Sequence, residues 1–225
     1  MHRSAFDHMQ LCVQRYLPRN RPYRVIELGA RLPAKQKLTH RQLLTDYEVD
    51  YVGLDIRPGK NVDVVMTRPY RFPARSNSAD VVISGQVFEH IPFFWASMLE
   101  IARVLKPLGY AFITAPSRGH EHSKYDCWRY YPDGFRAMAA FSALQLREAH
   151  TDFPSKKGHR HDYGSLELGS SYWGDSVGVF QKPVRYPRFR MTVVRGVTCW
   201  WANRIGDLEG TPRPKHIPER GSVTG

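Results

Sequence analysis

Arg24-Val25-Ile26-Glu27-Leu28-Gly29 and, one crossover later, Tyr51-Val52-Gly53-Leu54-Asp55-Ile56 decide how this chain reads. Each is a short apolar run that ends in an acidic residue. The first is closed by Gly29 and the second by Arg57-Pro58-Gly59, so both have the form of buried strands that stop at a turn. Between them Thr39 is a suitable N-cap for a short helix through His40-Arg41-Gln42-Leu43-Leu44. The unit is strand, helix, strand.

Working outward, Val62-Asp63-Val64-Val65-Met66 predicts a third strand. Asp80-Val81-Val82-Ile83-Ser84 predicts a fourth, with the near-continuous apolar character of a strand buried on both faces. Helical spacing of apolar residues marks 4–17 and 93–105, and a further helix is expected at 132–141. Tyr110-Ala111-Phe112-Ile113-Thr114-Ala115 is a fifth strand, stopped by Pro116, and 144–149 with 176–182 form a final pair. The alternation argues for an α/β fold, a parallel sheet with helices on both faces. In such sheets ligands bind beyond the carboxyl ends of the strands. Glu27 and Asp55 stand at two of those ends.

A glycine directly after a strand lets a ligand approach the backbone, and an acidic side chain at the end of the next strand can accept hydrogen bonds from ribose hydroxyls. Glu27-Leu28-Gly29-Ala30-Arg31-Leu32-Pro33 lacks the second and third glycines of a pyrophosphate cradle. The pattern therefore favours a mononucleoside-type ligand over nicotinamide or flavin dinucleotides. No phosphate-binding G-x-x-x-x-G-K-[ST] loop is present either.

These residues resemble the motifs of class I S-adenosylmethionine-dependent methyltransferases. Val25-Ile26-Glu27-Leu28-Gly29 is similar to the first motif and Tyr51–Ile56 to the second. Asp80-Val81-Val82-Ile83-Ser84-Gly85-Gln86-Val87-Phe88-Glu89-His90-Ile91 resembles the fourth strand and its loop, and Leu105-Lys106-Pro107-Leu108-Gly109-Tyr110 the turn before the fifth. The resemblance implies a Rossmann-like, doubly wound, mostly parallel seven-stranded sheet with an antiparallel last strand. It implies S-adenosylmethionine as cofactor, with Glu27 near the methionine amino group and Gly29 and Ala30 close to the cofactor. Asp55 would hold the ribose, Ile56 pack on the adenine, and Gln86 and Val87 line the other side. Thr67 and Arg68 fall where related sequences often carry an acidic residue for the adenine amino group. Arg68 cannot accept that hydrogen bond, whereas the Thr67 hydroxyl can. Leu108 stands in place of a turn glycine.

Methyl transfer is an in-line displacement, so holding the acceptor close and aligned supplies much of the catalysis. His90 after the fourth strand and His120, His122 and Asp126 after the fifth are expected around one mouth, with His90 or His120 as general base. A structural hydrogen-bonding role suits His90 equally. His120 and His122 lack a neighbouring cysteine or acidic cluster in sequence, so no metal site is expected. Arg118 to Pro132 resembles a D-x-W-R-[FY] stretch of some bacterial methyltransferases. Its aromatics fit either sugar recognition or a cover closed by an Asp126–Arg129 pair.

At 225 residues one main domain is expected, at 1–182, followed by a basic, aromatic extension at 183–225 whose end has a disordered composition. No apolar run reaches the ~20 residues of a bilayer span and no secretory signal opens the chain, so a cytoplasmic location is expected. Cys12, Cys127 and Cys199 are too few and too scattered for a disulfide framework. From Lys182 onward nine Lys/Arg face three Asp/Glu, so half of the +12 formal charge lies in the extension. Two functional readings follow. One is a methyltransferase acting on a small-molecule or glycan acceptor, at a hydroxyl; the other is a non-catalytic, basic nucleic-acid-binding or assembly protein on a degenerate methyltransferase fold.

Overall fold

The computed structural model describes residues 3–34, 36–119, 121–122, 125–151, 174–206 and 208. Its elements are α1 (Arg3–Tyr16), β1 (Tyr23–Leu28), β2 (Val49–Asp55), β3 (Val64–Val65), β4 (Ala79–Gly85), α2 (Phe94–Val104), β5 (Leu105–Arg118), α3 (Pro132–Ser142), β6 (Gln145–Thr151), β7 (Gly174–Gln181) and α4 (Arg188–Ile205). The strands make one seven-stranded sheet in the order β3-β2-β1-β4-β5-β7-β6. β7 runs antiparallel to both neighbours and the other pairings are parallel.

Strand side chains alternate between two cores. Ile26, Val82, Ile113 and Phe180 pack with α2 and α3 on one face. Val25, Val81, Ile83, Phe112 and Val179 pack on the other with Met9, Cys12 and Val13 of α1. Residues on these central strands are sealed on both sides, which is why their sequences read as continuous apolar runs. α2 is buried nearly all round, because α4 lies against it through Met191, Cys199 and Ala202 beside Ala96 and Leu99.

Several expectations change in detail. The β1–β2 crossover holds a 3-10 turn at His40–Leu44 among the described residues. β3 is cut to two residues because Asp63 replaces strand pairing with its side chain: its carboxylate accepts the Gly53 N–H at 2.7 Å and Arg41 at 2.7 Å. β5 starts at Leu105 and continues past Pro116, absorbing the expected turn as an irregularity in its pairing with β4. Leu108 sits there at φ 65°, in the left-handed region that a glycine would occupy without strain. The sequence reading of 206–225 lies almost wholly outside the described residues. No helix among the described residues is long and apolar enough to cross a membrane.

Candidate functional site at the carboxyl ends of the parallel strands

β1 lies between β2 and β4, with Glu27 opposite Gly53 on one side and Ile83 on the other. Their carboxyl ends therefore bring Gly29, Asp55 and Gln86 to one edge of the sheet. After β1 the chain turns sharply: Gly29 and Ala30 both donate to the Leu54 carbonyl, at 2.8 and 3.0 Å. Gly29 adopts φ 76°, and a Cβ there would meet Val87 Cγ2 at 2.2 Å. Val87 thus closes over the glycine and fixes the spacing of the β1 and β4 loops. Gln86 is also held at positive φ, 59°, with its amide donating to Asp175 Oδ1 at 3.1 Å. Strained backbone of this kind is kept where the surroundings over-determine it, often at functional sites.

Asp55 faces the edge with both oxygens. Oδ1 accepts the Arg57 N–H at 3.0 Å and Oδ2 the Arg31 N–H at 3.1 Å. Backbone donors leave each oxygen a further lone pair, the arrangement needed to receive a pair of ribose hydroxyls. Ile56, 54% exposed, and the exposed Thr67 and Arg68 make the rest of this end an open shelf. The residues present fit a nucleoside here: an acidic acceptor beside an uncovered apolar side chain.

Glu27 is buried. Its Oε1 lies 2.8 Å from His40 Nδ1 and its Oε2 accepts Asn61 Nδ2 at 3.4 Å. The His40 ring fills the space above Gly85, where a Cβ would come within 2.5 Å of it, and its Nε2 is a buried nitrogen with no hydrogen-bond partner among the described residues. His40 and Asn61 carried no sequence signal, since each reaches Glu27 from a loop remote in the chain.

The other half of the edge is densely built. Residues after β5 are stitched across the 3-10 turn Phe88–His90: Cys127 N–H donates to the Glu89 carbonyl at 2.7 Å, Tyr130 OH to Phe88 O at 3.1 Å and Trp128 Nε1 to Ile91 O at 3.0 Å. Trp128 packs edge-on to Phe94, and Tyr130 stacks on Phe135. Asp126 gives both oxygens to Arg129, at 2.5 and 2.9 Å. Of the two roles open to this segment, the geometry displays the cover. Burial opposes ionisation of Asp126, but Arg129 and the His122 N–H outweigh it and hold the carboxyl at about 2. His120 lies outside the described residues.

His90 Nδ1 is 2.5 Å from the Tyr125 carbonyl, so that nitrogen carries the proton and donates. Burial lowers the His90 pKa, leaving a neutral ring with its lone pair on Nε2. Beside it Glu89 is fully buried, and burial pushes its carboxyl up to about 8. Glu89 is the residue whose importance the sequence reading missed. The only hint was a carboxylate following a continuous apolar strand. The fold brings one ligand-type atom of Glu89 within 4.8 Å of one each from His90 and His122, a proximity that the sequence reading did not anticipate.

A model described as a methyltransferase domain matches residues 34–113, a stretch that begins beyond Gly29 and includes Asp55, Gln86 and Glu89. Over that stretch the chain is similar to methyltransferase domains. It is 29% identical over 145 residues to an uncharacterised methyltransferase of Mycobacterium sp. strain JLS, covering 60% of this chain and 50% of that protein. This chain thus spans half the length of that relative. Among solved structures, a putative sarcosine dimethylglycine methyltransferase from Galdieria sulphuraria superposes with TM-score 0.56 at 18% identity, covering 80% of this chain and 86% of that one. A Haemonchus contortus phosphoethanolamine N-methyltransferase 2, in complex with S-adenosyl-L-methionine, gives TM-score 0.55 at 16% identity over 79% of this chain and 52% of its own. At such identities the structural likeness speaks for the fold.

Proposed function

We propose that this chain is an enzyme that transfers a methyl group from S-adenosylmethionine to an oxygen of a small-molecule or glycan acceptor. The observation that carries the reading is Asp55, an acceptor-only side chain oriented by two backbone amides at the end of β2, next to the exposed Ile56. In this reading Asp55 takes the ribose hydroxyls, Ile56 packs on the adenine, and the Thr67 hydroxyl receives the adenine amino group in place of Arg68. Gly29, Ala30, Gln86 and Val87 border the cofactor from the β1 and β4 loops. Glu27, engaged by His40 and Asn61, shapes the floor near the amino-acid end.

When bound, S-adenosylmethionine supplies an electrophilic methyl group on a sulfonium. His90, neutral and tethered through Nδ1, can take the acceptor's hydroxyl proton on Nε2 as the new carbon–oxygen bond forms. Asp126 does not act as a base here, since its lone pairs are committed to Arg129 and His122. It positions the segment that covers Phe88–His90.

Calorimetric titration with S-adenosylhomocysteine tests the reading. The full chain should bind, and Asp55→Ala should weaken binding at least ~10-fold, consistent with loss of charge-assisted hydrogen bonds. Its melting temperature should stay within a few degrees of the parent. Absence of binding by the full chain at millimolar ligand, or unchanged affinity in Asp55→Ala, would overturn it.

The outer face of α4 favours a second reading as a nucleic-acid-binding surface, because Arg188, Arg190 and Arg204 are exposed beside Phe189, Trp200 and Trp201. Replacing those three arginines by alanine should abolish a salt-sensitive gel shift on RNA or DNA. Identical shifts before and after the substitution would remove this surface.

A further inference from the structure

Glu89 presents a buried carboxyl group that the cofactor site does not account for. Its side chain is 0% exposed and neither carboxylate oxygen has a hydrogen-bond partner among the described residues. A buried carboxylate of this kind costs several kcal/mol unless it is neutralised or ligates a cation. The side chains it meets are imidazoles. His90 Nε2 stands 3.6 Å from Glu89 Oε1. One ligand-type atom from each of Glu89, His90 and His122 lies within 4.8 Å of those of the other two. The two imidazole rings meet nearly edge-to-face, with centroids 5.0 Å apart.

Both rings are oriented from behind. His90 Nδ1–H donates to the Tyr125 carbonyl, and His122 Nδ1 lies 2.9 Å from Asp126 Oδ2, a carboxylate already clamped by Arg129. An ionised carboxylate and a carbonyl can only accept, so each Nδ1 is the donor and Nε2 is the atom of either ring that can ligate a cation. Holding Nδ1–H with a carbonyl or carboxylate is the usual support behind metal-binding histidines, and it is present here twice. The Asp126–Arg129 pair is internally neutralised, so Glu89, with both oxygens lacking a hydrogen-bond partner among the described residues, is the carboxyl left to meet a cation.

We propose that Glu89, His90 and His122 form a binding site for one divalent transition-metal cation. Two imidazoles and one carboxylate are a donor set for zinc, manganese, iron or cobalt, and they leave positions for oxygen ligands from solvent or substrate. Atoms bound at about 2.0–2.2 Å lie at most roughly 4.4 Å apart, so atoms within 4.8 Å of one another need only a small closing movement. The His122 side chain is 29% exposed and has room to turn, and that exposure also gives an ion its way in. Glu89 and His90 follow directly on Gln86 and Val87, which places the ion on the acceptor side of the edge. A role in holding an acceptor oxygen rests on the methyltransferase reading, and with an ion bound His90 serves as a ligand in place of acting as the base; the binding of the ion does not depend on that reading.

The test uses the tag-free full chain, titrated with cobalt(II) followed by visible absorption and with zinc by calorimetry, alongside S-adenosylhomocysteine binding on the same samples. One ion per chain is expected, with Glu89→Gln and His122→Ala each weakening metal affinity ~10–100-fold. Both variants should keep the metal-free melting temperature and S-adenosylhomocysteine affinity of the parent, which separates a lost ion from a lost fold or a failed cofactor reading. No binding by the parent at millimolar metal would overturn the proposal. So would equal affinity in parent and variants, or thiolate charge-transfer bands that put the ion on a cysteine.

Discussion

Glu89 and Glu100 are both fully buried glutamates, one on the turn after β4 and the other on α2, yet their surroundings are opposite. Glu100 receives four donors: Arg103 Nε at 2.8 Å, an Arg103 terminal nitrogen at 2.7 Å, an Arg195 terminal nitrogen at 2.9 Å and the Phe72 N–H at 2.8 Å. It ties α4 and the β3–β4 connection to α2. Glu89 receives none on its side chain among the described residues. A buried carboxylate with every lone pair used is architecture; one left with unmet acceptors and flanked by oriented imidazoles is poised for something that arrives from outside.

The sharpest way to break this contrast is to neutralise both. Glu100→Gln leaves Arg103 and Arg195 without their anion and should cost ~3 kcal/mol or more. Glu89→Gln, which replaces a carboxyl already mostly neutral at pH 7 by an amide of the same shape, should cost no more than about 1 kcal/mol without metal. Urea unfolding of the two variants, with midpoint and slope both measured, checks the difference. Similar losses at the two positions would remove the distinction.

Gly29→Ala sharpens it on the cofactor side. The added methyl would strike Val87 in a backbone held at positive φ, so a loss of ~2 kcal/mol is expected. The double variant with Val87→Ala should recover the steric part. If it recovers nothing, the backbone angle alone fixes the glycine.

A third comparison lies at the opposite end of β4. Burial pushes the Asp80 carboxyl up, but Lys106, the Arg24 N–H and Arg21 more than reverse this and leave it below its usual range. A depressed folded-state pKa means that the unfolded chain binds the proton more readily. The contribution is therefore complete above the ordinary carboxylate range near pH 4 and is lost as pH falls through the lower folded value. With Arg21 and Lys106 about half exposed, Asp80→Asn should cost only about 1 kcal/mol at pH 7, and the gap should narrow on acidification. Thermal melts across pH 2.5–7 measure it; a gap that widens in acid would reverse the sign.

Local sequence carried the strands because continuous apolar runs closed by Gly29 and Arg57-Pro58 have few other uses in a domain of this size, although β5 runs on through Pro116. It also carried Asp55, whose position at a strand end is fixed by the run before it. The crossover after β1 was less legible: His40–Leu44 looked like a helix, but the chain there is too short and too tied to Glu27 for more than a 3-10 turn. β3 failed as a five-residue strand because Asp63 spends its side chain on Gly53.

The sequence by itself determined the alternation of elements, the sheet edge proposed for the cofactor and the acidic residue that stands at it, since these follow from periodicity and from groups adjacent in the chain. The tertiary structure alone decided that Glu89 loses its solvent, that His90 and His122 turn toward it, and that Asp126 serves Arg129. The reason is physical. Hydrogen-bond satisfaction of a buried charge depends on which distant segments fold over it, and here the turn Phe88–His90 meets its cover only when β4 and β5 lie side by side.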